Sequence, residues 1–478
     1  MNAENSRGAG SEQTSRRGGH VRRRGAVIAV LLAAAVLAGA ALGLGGGRAG
    51  FAVALAEYPE MPALPHEEEF FDSETGVWDG EAYDRQYTPW WEAQRARWKD
   101  RPENYAAGLE GFFTAGIRQF LGDTEGENRV FSPVNLCMSL AMLAELTGGE
   151  SRQQILDLLA QPDLQTLRAQ AAAIWRANYC DDGGTTSVLA NSLWLNQGVS
   201  FVPSTLETLA RDYRASSYQG EMGSEDFDQA LRDWVNQQTG GLLEEQSAGL
   251  RLEPDTVLAL ASTVYFRAKW QDEFSESGTA PQTFHSPAGD LTCDFLHESD
   301  SGSYFWGERF SAVSRHLENY GGTMWFLLPD EGVTAEELLE DPQVMEFLLM
   351  NAKWENWSDN KCLIINLALP KFDVSSDLDL LPGLRALGIT DVFDPSASDF
   401  SPMAKEAEGI RVSQAEHAAR VAIDEEGVAA AAYTVMPAPG AGMPPEEEVD
   451  FVLDRPFLFA ITGEDGLPLF AGLVNRPV

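Results

Sequence analysis

Positive charge is scarce in this 478-residue chain: 34 Lys and Arg stand against 73 Asp and Glu, a formal net charge of −39. A surface of that sign repels polyanions, so nucleic acid and heparin-like polysaccharides are poor partners. Histidine and cysteine are few, at six and four. No two His stand at ligand spacing, and Cys137, Cys180, Cys293 and Cys362 contain no C-x-x-C pair, which excludes a zinc site and a disulfide scaffold. One bridge could form in an exported chain without spacing choosing the pair, and mostly free, buried thiols are expected. The sequence has no Gly-Lys dipeptide, hence no phosphate-binding P-loop, and neither a G-x-S-x-G elbow nor H-E-x-x-H. Carboxylates abound, yet none is singled out as a catalytic pair. The chain therefore reads as no enzyme, with no metal and no cofactor.

What is present begins with contrast. The first 50 residues hold seven Arg and only two Glu, with Arg16, Arg17 and Arg22–Arg24 preceding the 19-residue uncharged run Ala26–Leu44. A basic flank before an apolar run of that length directs the acidic bulk of the chain across a membrane, so residues 1–56 are read as an export or anchor segment. Ala54-Leu55-Ala56 offers a small-residue cleavage site, but it lies far beyond the run; an extracellular or cell-surface location is expected, tethered or secreted. Residues 57–103 carry Pro, Glu, Asp and aromatic residues and read as a solvated acidic spacer with a short helix over Trp90–Lys99. Residues 104–478 form the compact domain.

Within it, apolar spacing predicts helices at Leu109–Phe120, Leu136–Leu146, Gln153–Leu159, Leu164–Tyr179, Pro203–Tyr213 and Phe227–Gln238. Val188–Leu195, Thr256–Phe266, Thr323–Leu328, Cys362–Leu369 and Arg420–Ile423 read as strands. Pro456–Thr462 and Leu467–Leu473 flank Gly463-Glu464-Asp465-Gly466 as a hairpin. Helices first, long strands later and no strict alternation give an α+β class.

One segment stands apart: VAIDEEGVAAAAYTVMPAPGAGMPPEEEVD, Val421–Asp450. A strand ends in Asp424, Glu425 and Glu426, turns at Gly427, and continues through small, uncharged Val428, Ala429, Ala430, Ala431 and Ala432 to Tyr433 and Thr434. By itself this is equally a flexible linker with an Ala-rich helix or a chain able to enter a sheet.

Several further segments, in order, carry a resemblance. Val130-Phe131-Ser132-Pro133-Val134-Asn135, Gly148-Gly149-Glu150-Ser151, Ser262-Thr263-Val264-Tyr265-Phe266-Arg267-Ala268-Lys269-Trp270, Phe326-Leu327-Leu328-Pro329-Asp330-Glu331, Leu369-Pro370-Lys371-Phe372, Leu384–Phe393, Ile423–Gly427 and Asp454-Arg455-Pro456-Phe457-Leu458-Phe459 together resemble the serpin family, of a bacterial, membrane-anchored or secreted type.

The resemblance implies a fold of three β-sheets and eight to nine helices with an exposed reactive-centre loop. It implies a suicide inhibitor of serine proteases, with cysteine proteases as a further class, acting as a monomer. The loop is cut, the protease is held as an acyl-enzyme, and the loop inserts into the central sheet. Glu425, Glu426, Gly427, Val428, Ala429, Ala430, Ala431, Ala432 and Thr434 would form its hinge, with Gly427 as pivot. The cleaved bond falls at Ala441–Gly442, with Met443–Pro444 as second choice, because a bond before Pro is a poor substrate. Ala at that position suits an elastase-like or subtilisin-like pocket. Ser132, Asn135, Ser262 and His417 would gate the sheet opening, and Trp270 would pack where insertion starts. Pro437 and Pro439 lack ladder donors and favour the alternative, a non-inhibitory serpin acting as a binding or chaperone-like module.

Overall fold

The computed structural model describes residues 50–477, apart from 73–74, 76, 100, 103, 350–356, 406–408, 413–414, 429–444 and 446. Residues 1–52 and 53–478 are separate bodies. The run Ala26–Leu44 lies outside the described residues, among which no helix is long and apolar enough to cross a membrane.

Along the chain, strand β1 (Ala52–Ala54) is followed by a small hairpin of β2 (Phe71–Asp72) and β3 (Val77–Trp78), then helix α1 (Gly80–Lys99). Helix α2 (Glu110–Leu121) and strand β4 (Arg129–Phe131) lead into α3 (Pro133–Leu146), α4 (Gly149–Leu158) and α5 (Leu164–Asn178). Next come β5 (Cys180–Asp181), β6 (Thr186–Asn196), α6 (Pro203–Asp212), β7 (Ala215–Gly220), α7 (Glu225–Gln238), α8 (Glu244–Ser247) and β8 (Leu258–Lys269). The middle holds β9 (Ala280–Ser286), β10 (Gly289–Trp306), β11 (Phe310–Leu317), β12 (Gly322–Pro329), α9 (Ala335–Leu339) and α10 (Pro342–Leu348). The last third has β13 (Asn360–Pro370), β14 (Phe372–Asp379), α11 (Leu380–Ala386), β15 (Glu416–Ile423), β16 (Gly427–Val428), β17 (Glu448–Val452), β18 (Phe457–Thr462) and β19 (Pro468–Val474).

These strands make three sheets. The first runs β1-β7-β6-β8-β16-β15-β14 with β5 beside β6; the second runs β17-β13-β10-β11-β12-β18-β19-β4 with β9 beside β10; the third is the β2–β3 hairpin. Helix α3 is the central helix. Ser132 caps it by accepting from the Asn135 N–H, Pro133 supplies a first-turn residue that needs no donor, and every residue but Ser139 is buried. A helix apolar on all sides has to sit inside, and this one contacts both β8 and β19. Its one buried acid, Glu145, is satisfied by Arg168 at 2.6 Å and the Tyr213 hydroxyl at 2.8 Å. All four cysteines are free; only Cys362 is exposed.

Two expectations change here. The helix expected over Trp90–Lys99 starts ten residues earlier, at Gly80. The segment before it is no solvated spacer, because Tyr58 and Leu64 bond to the domain, as Trp90 and Gln94 of the helix also do. Tyr58 turns inward and Phe70 is buried, whereas Phe71 and Trp78 stay exposed, a division that mean composition conceals.

Candidate functional site: the hinge and the opening of the central sheet

β15 ends at Ile423, and the chain reverses within four residues so that Val428 pairs with Ile423. The reversal is held by Asp424, whose Oδ1 accepts from the N–H groups of Glu426 and Gly427, each at 3.0 Å, while its own N–H donates to the Gly427 carbonyl at 3.0 Å. Glu425 accepts from the Thr279 hydroxyl and from Lys371 Nζ, both at 2.7 Å. Partial burial works against its charge, but the Lys371 ammonium and Thr279 hydroxyl outweigh that and hold the carboxyl below its usual range. Glu426 has a buried Oε2 with no hydrogen-bond partner.

Trp270 anchors the same turn from β8's end. It is 1% exposed, its indole N–H donates to the Asp424 carbonyl at 2.9 Å, and its backbone N–H donates to the Glu426 carbonyl at 3.0 Å. Gly427 lies opposite Lys269, and a Cβ there would come within 2.5 Å of the Ala268 carbonyl oxygen. Close backbone approach therefore requires this glycine.

β16 thus stands between β8 and β15. Among the described residues those two longer strands share no ladder with each other. Cavities line the seam, one between Phe266 of β8 and Val421 and Ala422 of β15, another between Ala259–Thr263 and Ala418.

Further down, the structure brings Ser132, Asn135, Ser262 and His417 together. The Ser132 N–H donates to His417 Nε2 at 3.1 Å, and the Ser132 hydroxyl donates to the Leu469 carbonyl at 2.6 Å. Accepting that bond leaves Nε2 unprotonated, and complete burial pushes the His417 pKa down to about 4, so the ring is neutral at pH 7. Asn135 Nδ2 donates to the Ser262 carbonyl at 3.2 Å. The Ser262 hydroxyl faces the side-chain oxygens of both Asn135 and Asn191, the latter at 2.6 Å, and has one hydrogen to share between them. Asn191 escaped the sequence reading; an amide within the apolar strand Val188–Leu195 was the available signal. The hinge partners Lys371 and Thr279 escaped it too.

Val428 is described and 3% exposed. Ala429–Ala432, Thr434 and Ala441, Gly442, Met443 and Pro444 lie outside the described residues. The chain resumes in β17, which pairs in parallel with β13 of the second sheet, so residues 429–447 join one sheet to the other. No cluster of metal-ligating groups occurs among the described residues.

A family model described as Serpin (serine protease inhibitor) matches residues 110–477. The chain belongs to the serpin family. Serpin-Z1C of Triticum aestivum is 28% identical over 368 residues, covering 73% of this chain and 90% of that protein. Plasminogen activator inhibitor 1 of Bos taurus is 28% identical over 396 residues, covering 79% and 94%. Among solved structures, Arabidopsis AtSerpin1 in its native stressed conformation is similar with a TM-score of 0.67 at 26% identity, covering 78% of this serpin and 98% of that chain. The thermophilic serpin tengpin in the native state shares the fold, with a TM-score of 0.69 at 22% identity over 78% of this chain and 95% of its own. Membership brings inhibition of serine proteases as the family's general activity.

Proposed function

We propose that this serpin is an exported inhibitor that traps elastase-like or subtilisin-like serine proteases as a suicide substrate, cut at Ala441–Gly442. The observation that carries the reading is that Gly427 and Val428 already form a strand between β8 and β15, which do not pair with one another. A cut loop needs only to lengthen that strand. The energy comes from new ladder bonds and buried apolar area, and it is spent before the acyl-enzyme ester meets water.

The register tests the loop residue by residue. Val428 lies opposite Ala268 on one side and Ile423 on the other. Continued one for one, Thr434 arrives between Ser262 and His417, on the face where those two already sit, and adds a hydroxyl to their polar cluster. Val428 packs among Phe266, Val421, Ile461 and Phe470, so by the two-residue period Ala430 and Ala432 would face the same interior. Small residues fit there. In that register β15 runs out opposite Val435 and β8 opposite position 438. Pro437 therefore falls beyond β15 and Pro439 beyond both strands, where a missing ladder donor costs little. The prolines favour the non-inhibitory alternative less than the sequence alone suggested.

Ser132, Asn135, Asn191, Ser262 and His417 act in this reading as the polar latch beneath the opening, with Trp270 as its upper hinge post. The residues before Val53 would serve export and tethering. The test is incubation with pancreatic elastase and subtilisin followed by denaturing electrophoresis. A covalent complex is expected; loop cleavage with every protease still active would overturn the reading, and an unchanged melting temperature after cleavage would assign the chain to the non-inhibitory class.

A further inference from the structure

The central sheet has a second place where a strand has been added. β7 would be its outer strand but for the residues that precede the family match at 110–477. The strand containing Val53 and Ala54 runs beside β7. The Ala56 N–H then donates to Ser216 Oγ at 3.1 Å. The Tyr58 ring lies 5.7 Å from that of Trp175 and 5.9 Å from that of Tyr179, and its hydroxyl donates to the Arg214 carbonyl at 3.3 Å. The Tyr179 hydroxyl donates to the Pro59 carbonyl at 3.2 Å, and the Leu64 N–H to the Asp182 carbonyl at 2.7 Å.

Asp182 fastens the far end. It is 1% exposed, and its carboxylate accepts four further hydrogen bonds: from the Gly184 and Thr185 N–H groups of its own turn at 3.1 and 2.9 Å, and from Trp90 Nε1 and Gln94 Nε2 of α1 at 2.7 and 3.1 Å. Arg97 adds a bond to the Ala177 carbonyl at 3.0 Å. The segment is thus laid along a sheet edge and an aromatic shelf, and its end is bonded to the Asp182 carbonyl.

We infer that residues 53–64 are a built-in occupant of a strand-addition site on β7, and that their work is to keep a second copy of this chain from pairing with that edge. β7 reads ASSYQG, with no charge and no proline. A bare edge of that kind offers six residues of ladder to an identical neighbour, and edge-to-edge pairing of two copies closes as a symmetric dimer. The occupant replaces it with a strand of only three residues, followed by Glu57, Pro59, Glu60 and Pro62. Short length, like charge and proline are the devices that stop an edge from growing. Val53 and Leu55 are half or more exposed, so the segment is held by its inward bonds and by Tyr58 rather than by complete burial.

The test uses the full chain carrying Ala56→Pro with Tyr58→Ala, beside the unaltered chain in the same detergent. Hydrogen exchange of the β7 amides and sedimentation equilibrium are read together. Exchange of Ser216–Gly220 at least about tenfold faster, with a dimer that grows with concentration and reverts to monomer when a synthetic peptide of residues 53–66 is added, is the expected result. Faster exchange in a chain that stays monomeric would overturn the inference. So would unchanged exchange, since the segment would then not rest on these contacts. Tyr58→Phe, which removes only the bond to Arg214, serves if the double variant fails to fold, and the same outcomes apply in smaller measure. Complex formation with elastase is a separate readout, so failure here leaves the inhibitory reading untouched.

Discussion

Two sites for an added strand lie in one sheet, and they are furnished in opposite ways. At the β7 edge the occupant is in place and held by large or polar anchors: Tyr58 against Trp175 and Tyr179, and the Leu64 N–H on the Asp182 carbonyl. At the β8–β15 seam Gly427 and Val428 stand between the two strands, and the next four residues in the sequence are alanines. Permanence needs side chains that hold. Travel needs side chains that pass, because each inserted residue has to slide by neighbours before it rests. In the proposed mechanism one sheet therefore accepts a fixed strand at its border and a movable one in its interior.

The sharpest way to break the comparison is to make the movable strand sticky. Ala430→Arg would carry a charge to the buried face and oppose insertion by several kcal/mol. The expected outcome is a substrate in place of an inhibitor: covalent complex falls at least about tenfold, cleaved loop accumulates, and cleavage no longer raises the melting temperature.

His417 gives the next largest effect, through pH. Its folded pKa is lowered from 6.5 to about 4, so the unfolded chain binds its proton first. Its stabilisation is complete above pH 6.5, declines as pH falls toward 4, and changes no further below that, for a total on the order of 3 kcal/mol. Urea titrations across that window, compared with His417→Gln, should show the difference in slope; parallel curves would mean the ring is not buried neutral.

Asp182→Ala addresses the docking of α1, which follows the fixed strand. It leaves the Gly184 and Thr185 N–H groups, the Trp90 indole and the Gln94 amide without their acceptor, a cost of about 2–3 kcal/mol. Thermal melting should fall accordingly while complex formation with protease is unchanged, because the seam is not touched. The smallest effect belongs to Glu425→Gln, which weakens a partly exposed pair with Lys371 and should cost at most about 1 kcal/mol, read as faster amide exchange at Val428.

Much of the fold is legible in the chain alone. Ser132-Pro133 before an apolar run announces α3, the alternation around Ser262 and Lys269 announces β8, and Gly463–Gly466 announces the last hairpin, since each signal is local. The four polar residues Ser132, Asn135, Ser262 and His417 stand out as positions in recognisable segments. Whatever stays hidden depends on distant partners. Tyr58 meets Trp175 across more than a hundred residues, and no periodicity near either one records it. Asn191 looks like a polar interruption until Ser262 stands beside it. Gly427 is singled out by sequence as a turn, but the close approach of the Ala268 carbonyl in another strand is not legible there.

The parallel ladder between β17 and β13 bears on what severing the loop does. Downstream of the cut, Glu448–Val452 stay moored by five paired positions, with Asn366 bonded to Asp450 and Lys361 to Glu447. In the proposed insertion the upstream end would therefore do the moving. The two new ends would part by roughly the 40 Å that twelve residues of β8 span at about 3.3 Å each, and a passenger on the upstream end would travel that distance with it.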